Sequence, residues 1–141
     1  MRVGILNVTG YAGAETVRIL MRHPEVKVTS VTGRSAVGQK LGDVFPHLAG
    51  LDLTIEPELG DVDFVISALP HKASAEAVAP LVARGLRVVD ISADFRLKSP
   101  QAYEEWYETP HPAPNLLEEA VYGLTELHRK EVASARVVAN P

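Results

Sequence analysis

The stretch VGILNVTGYAG, from Val3 to Gly13, decides how the rest of the chain is read. Val3, Ile5, Leu6 and Val8 make an apolar run of strand length, and Gly10 and Gly13 follow at once. The period then changes: Ala14, Val17 and Met21 recur at helical spacing, with Ile19 and Leu20 widening the stripe. A buried strand, a glycine turn and a helix start in that order describe the opening of a dinucleotide-binding βαβ unit. Glycine lets the backbone come close to a pyrophosphate, and the helix start offers that anion free N–H groups and a positive dipole end. The turn reads Asn7-x-x-Gly10-x-x-Gly13, so asparagine stands where a first glycine is expected. Asparagine tolerates positive φ better than most residues, and the turn can survive the exchange. An ordinary strand–turn–helix corner would share the glycine pair, so the reading needs support from farther along.

At 141 residues the chain is expected to form one domain, large enough to bury a core without covalent staples. Its 46% hydrophobic and 23% charged residues are those of an ordinary soluble globule. A net charge of −4 and a pI near 5.7 argue against a nucleic-acid partner. No apolar run is long enough to span a bilayer and no signal segment is visible, so a cytoplasmic protein without a membrane partner is expected. The cysteine count is zero, which excludes disulfides, cysteine-ligated zinc and a thiol nucleophile within these residues. The five histidines, His23, His47, His71, His111 and His128, are scattered, none in a metal-binding i, i+4 pair, so no metal site is expected.

His23-Pro24 stops the first helix, and Val26, Val28 and Val31 begin a second strand of the kind covered on both faces. From Gly38 to Asp61 the signal is mixed, predicting loops and one short irregular strand around residues 51–55. VDFVISAL, 62–69, reads as another buried strand, ended by Pro70. Ser74 is a candidate cap for a helix running to Arg84, bent at Pro80 and stopped by Gly85. LRVVDI, 86–91, is the next strand, and residues 136–139 look like a last one. Between them Pro100 opens a helix carrying Tyr103, Trp106 and Tyr107, an aromatic stripe expected to pack in a core or interface. His111, Pro112 and Pro114 follow as a rigid loop. Strands alternating with helices predict an α/β fold: a Rossmann-type, doubly wound parallel sheet with helices on both faces.

In an open parallel sheet, ligands sit at the carboxyl ends of the strands. The residues there are Thr9, Gly10, Tyr11, Ala12 and Gly13; Thr32, Arg34 and Ser35; Leu69, Pro70 and His71; Ser92, Asp94 and Arg96; and finally Asn140. An NAD site normally places an acidic residue about 20 residues beyond the glycines, to hold the ribose hydroxyls. Thr32 to Ser35 contain none; Arg34 stands there with hydroxyl side chains beside it. That set suits a 2′-phosphate, so NADP(H) is the expected cofactor. Asp94 and Arg96 could pair across a turn, or Arg96 could present a planar fork to a substrate phosphate or carboxylate; spacing does not choose.

Five pieces, GYAG at 10–13, ALPH at 68–71, DISADFRL at 90–97, YGLTEL at 122–127 and VVANP at 137–141, resemble the N-terminal half of the N-acetyl-γ-glutamyl-phosphate reductases. Two positions depart from that pattern: Asn7 replaces a glycine, and Thr125 a proline. The resemblance implies an arginine-biosynthesis enzyme that reduces an acyl phosphate to a semialdehyde with NADPH, releasing phosphate. A small-molecule acyl-phosphate substrate and a full-length homo-oligomer go with it. Gly10, Tyr11, Ala12 and Gly13 would hold the pyrophosphate, and Thr32, Arg34 and Ser35 the adenosine end. Leu69, Pro70 and Asn140 would lie near the nicotinamide, and Arg96 would receive the substrate phosphate. In the family a cysteine thiolate attacks the acyl phosphate, and that cysteine is expected just after Pro141. Residues 1–141 are then the NADP-binding Rossmann-type domain, inactive alone. The alternatives are a lysine-pathway reductase of aminoadipyl phosphate and a non-catalytic NADP-binding module.

Overall fold

Val3 and Ile5 are buried in β1 (Arg2–Leu6), and the chain then turns through Asn7 to Gly10 into α1 (Tyr11–Leu20). The computed structural model describes residues 1–141, whose contacts form two compact units, residues 1–68 and 69–141. In the first, β2 (Lys27–Thr32), a short α2 (Leu41–Val44), β3 (Ile55–Glu56) and β4 (Phe64–Ser67) complete the order β3-β2-β1-β4. Every pairing is parallel, with Val3 opposite Val28 on one side and Phe64 on the other. β1 is therefore an interior strand with its carboxyl end at the glycine turn, as the sequence predicts. Val17 of α1 packs with Val3, Ile5, Val8, Val28, Val31, Leu41, Leu48 and Ile55 in one core. Each such side chain contributes about 1.5–3 kcal/mol by leaving water.

Residues 38–61 are more ordered than their composition predicts. Leu41 and Leu48 are fully buried, on α2 and on a single 3₁₀ turn at Pro46–Leu48. Gly42 permits this, because a Cβ there would lie 2.6 Å from Ala49 Cα.

The second unit contains α3 (Ala73–Ala83), β5 (Arg87–Asp90), α4 (Pro100–Tyr107), α5 (Pro114–Glu119), β6 (Val121–Tyr122), α6 (Thr125–Ser134) and β7 (Val137–Ala139). Its strands are parallel in the order β5-β7-β6. α3 runs through Pro80 and ends at Gly85, whose φ of 89° suits glycine. Gly85 N–H donates to the Val82 carbonyl and Leu86 N–H to that of Leu81, the paired bonds of a Schellman ending.

Two local expectations are corrected and a third is met in part. Ser74 does not cap α3; Lys72 holds the cap position, and the Ser74 hydroxyl donates to Asp90 instead. The aromatic stripe of α4 splits: Tyr103 is fully buried, whereas Trp106 is 75% exposed. Pro114 opens a helix rather than closing a rigid loop, since its fixed φ suits a first helical position.

Candidate functional site

In the first unit the site is built on Asn7. Its φ of 63° is the left-handed conformation a glycine would take, and its side-chain amide donates to the Ala68 carbonyl at 2.9 Å. That bond ties the end of β1 to the end of β4. The asparagine therefore does the conformational work of the expected glycine and adds a tether. Gly13 is then sterically required: a Cβ there would collide with the Asn7 carbonyl oxygen and lie 2.8 Å from Val8 Cα. Gly10 is less constrained, its nearest neighbour being the Asn7 amide nitrogen at 3.1 Å.

Gly10 is the N-cap of α1, extended at φ −84° and ψ 160°, and no side chain caps the helix. The first turn holds no acidic residue. The N–H groups of Tyr11, Ala12 and Gly13 thus face outward at the positive end of a ten-residue helix, as an anion requires. The Tyr11 side chain is 99% exposed and packs against nothing at this helix start.

The end of β2 meets the same turn. Val8 N–H donates to the Thr32 carbonyl at 2.7 Å, and the Thr32 hydroxyl accepts from Asn7 N–H at 3.3 Å. A Cβ on Gly33 would lie 2.9 Å from Thr9 Cγ2, so Thr9 packs directly on this strand end. Thr32 is buried and turned toward β1, whereas Arg34 and Ser35 are exposed. No ion pair of the chain involves Arg34. Thr9, Gly10, Ala12, Gly13 and the Thr32–Ser35 segment thus gather at one end of the first unit. A cavity of about 520 Å³ on the β2–β3 side of this unit is lined by Asp52, Glu56, Glu58 and Asp61, carboxylates that would repel a phosphate.

In the second unit the segment Ser92-Ala93-Asp94-Phe95-Arg96 excludes one of the two arrangements that spacing left open. Asp94 and Arg96 do not pair. The Asp94 carboxylate turns inward and accepts from Lys72 N–H and Ala75 N–H, each at 2.8 Å, and from the Tyr103 hydroxyl at 2.8 Å. It thereby caps α3, holding Lys72 at a φ of 71°. The N-terminus of α3 is consequently filled by a carboxylate, while that of α1 is open. Arg96 is half-buried and donates through Nε to the Asn140 carbonyl at 2.9 Å and through Nη2 to the Ile91 carbonyl at 3.0 Å. Held by carbonyls rather than a carboxylate, the guanidinium keeps its charge uncompensated and its other N–H groups available. Leu69 is half-buried and Pro70 exposed, ahead of α3, and Asn140 is exposed beyond β7.

Behind this turn lies a buried polar cluster that sequence reasoning missed. Asp90 accepts from the Ser74 and Ser92 hydroxyls at 2.5 and 2.6 Å. Burial raises its pKa, opposed by those hydrogen bonds and reinforced by Asp94. Burial also raises the Tyr103 pKa, with Asp94 adding to the effect, so the phenol stays a donor. His111 is buried with Nδ1 accepting from Ala113 N–H at 3.0 Å, which leaves Nε2 to donate to the Asp94 carbonyl at 2.9 Å. This fixes a neutral ring, and burial holds its pKa below the ordinary value. A histidine lowered on folding contributes stability that is complete above about pH 6.5, where the unfolded ring is also neutral. That contribution is lost as pH falls toward the folded pKa. Melting of wild type and His111→Gln across pH 5–8 should show wild type losing its advantage below pH 6.5. A constant difference would refute the neutral assignment.

A glycine turn on an interior parallel strand, opening into an uncapped helix, defines a dinucleotide-binding α/β domain. Residues 2–135 match the family described as semialdehyde dehydrogenase, NAD binding domain, and the chain belongs to that family. A nicotinamide dinucleotide is accordingly the cofactor of the domain. The chain is 60% identical over 141 residues to the N-acetyl-gamma-glutamyl-phosphate reductase of Dehalococcoides mccartyi strain 195, covering 99% of this chain and 41% of that protein. The enzyme of the same name from Acetivibrio thermocellus is 42% identical, covering 99% of this chain and 42% of its own length. The chain thus spans about two fifths of these relatives. Among solved structures, aspartate semialdehyde dehydrogenase II of Vibrio cholerae shares the fold, with a TM-score of 0.70 at 16% identity over 99% of this chain and 41% of that one. The Candida albicans aspartate semialdehyde dehydrogenase, solved with NADP, matches 67% of this chain and 30% of its own length at 25% identity and a TM-score of 0.58. No helix is long and apolar enough to cross a membrane.

Proposed function

We propose that the whole protein is an NADPH-dependent N-acetyl-γ-glutamyl-phosphate reductase and that residues 1–141 are its cofactor-binding part. The observation that carries this is the open N-terminus of α1 above Gly10 and Gly13, in a chain 60% identical to a reductase of that name. When bound, the cofactor supplies hydride. Tyr11, Ala12 and Gly13 offer backbone N–H groups to its pyrophosphate, and Arg34 with Ser35 takes the 2′-phosphate. Thr9 packs the turn against β2, and Thr32 braces it from the next strand. Leu69, Pro70 and Asn140 serve the nicotinamide end.

Arg96 receives the phosphate of the substrate and stabilises it as it leaves, a task for a fixed cation with free N–H groups. The acyl-transfer nucleophile is a cysteine outside residues 1–141, which contain none. The protein acts in the cytoplasm on a small-molecule acyl phosphate, as a homo-oligomer.

Arg96→Lys keeps the charge and loses the planar fork. In the full-length protein this substitution should lower kcat/KM for N-acetyl-γ-glutamyl phosphate by about tenfold or more, while the Kd for NADPH stays near wild type. Steady-state kinetics with a parallel cofactor titration measure both. A variant that melts early and binds NADPH poorly would make Arg96 a structural residue only.

A further inference from the structure

We infer that Asp94 is a positioning residue for Arg96, holding the turn that presents the guanidinium by pinning it to the first turn of α3. Every polar atom of Asp94 is engaged. Oδ1 accepts from Lys72 N–H and the Tyr103 hydroxyl, and Oδ2 from Ala75 N–H. Its N–H donates to the Ser92 hydroxyl at 3.0 Å, and its carbonyl accepts from His111 Nε2. Arg96 follows two residues later, with its own N–H on the Ala93 carbonyl at 3.2 Å. The turn is therefore fixed from α3, from α4 through Tyr103, and from the 111–113 loop, all through one residue.

The arrangement has an electrostatic consequence. A carboxylate two residues from Arg96 is the obvious group to neutralise it. Here that carboxylate is committed to two helix N–H groups and a phenol, beside the positive end of α3. Asp94 thus fixes the place of Arg96 without taking its charge. This inference rests on the reading of Arg96 as the phosphate-binding cation.

Asp94→Asn is nearly isosteric, but its amide nitrogen would face a donor where an oxygen accepted. In the full-length protein it should raise KM for the acyl phosphate and the inhibition constant for inorganic phosphate by about tenfold, since small misplacements of a binding group are costly. KM for NADPH should stay within about twofold of wild type, because the cradle on α1 is untouched. Tyr103→Phe removes one of the three donors and should shift both phosphate constants the same way, but less. Val82→Ala, a cavity in α3 away from the turn, should lower the melting temperature and leave these constants alone. If Asp94→Asn moves the phosphate constants no more than Val82→Ala does, the inference is wrong. Should Asp94→Asn not fold, a Tyr103→Phe protein with wild-type phosphate constants overturns it equally.

Failure of the Arg96 reading is seen separately, as Arg96→Lys leaving phosphate inhibition unchanged. Hydrogen exchange then decides the pinning itself, without any activity. Asp94→Asn should speed exchange at amides 72–75 and 92–96 together, and protection retained at 92–96 would contradict it.

Discussion

Gly13→Ala is expected to destabilise the fold by about 3 kcal/mol and to abolish NADPH binding, because overpacking against backbone has no inexpensive relief. The added methyl would meet the Asn7 carbonyl oxygen and Val8 Cα, both parts of the turn itself. Either the start of α1 moves outward or the turn opens, and each disperses the N–H groups proposed to take the pyrophosphate. Gly10→Ala makes a sharp control. Its methyl would come no nearer than 3.1 Å to the Asn7 amide and 3.7 Å to the Asn7 carbonyl oxygen, and alanine in place of glycine at an N-cap costs about 1 kcal/mol or less. Urea unfolding of both variants, with cofactor titrations, checks this. Equal midpoints for the two would remove the steric argument for Gly13.

Arg34→Ala should weaken NADPH binding about ten- to a hundredfold, the equivalent of roughly 1.5–3 kcal/mol for a charge-assisted hydrogen bond. NADH, which lacks the 2′-phosphate, should bind nearly as before. The size of the effect follows from the surroundings: Arg34 is exposed and belongs to none of the chain's ion pairs, so no carboxylate competes for it. Thr32 cannot substitute, since its hydroxyl is buried against Asn7. Titrating wild type and variant with both cofactors separates the cases. Equal losses for NADPH and NADH would mean that Arg34 supports the loop rather than the phosphate.

The glycine turn was legible in the sequence because its physics is local. A continuous apolar run marks an interior parallel strand, and a glycine at position 13 marks a close backbone approach within six residues of its cause. Asn7 was readable for the same reason, since tolerance of positive φ belongs to the residue itself. The second unit was less legible because its decisive bonds join distant residues. Asp94 reaches 22 residues back to Lys72 and 19 back to Ala75, so the local rule that favoured Ser74 as the cap lost to a carboxylate from another segment. α6 escaped notice because it buries no residue fully and so leaves no apolar period to read. Tyr103 and Trp106 share a stripe in sequence, yet only Tyr103 finds a partner, in Asp94.

Whether the whole protein is this reductase is tested by stoichiometry. Full-length protein is given NADPH and N-acetyl-γ-glutamyl phosphate, with aminoadipyl phosphate on its carrier in a parallel reaction, and NADPH oxidation and phosphate release are followed together. One phosphate released per NADPH oxidised, with the acetylglutamyl substrate strongly preferred and the cysteine-free 141-residue chain silent, is the predicted result. Oxidation by the 141-residue chain alone, or none by the full-length protein with the acetylglutamyl substrate, would contradict it.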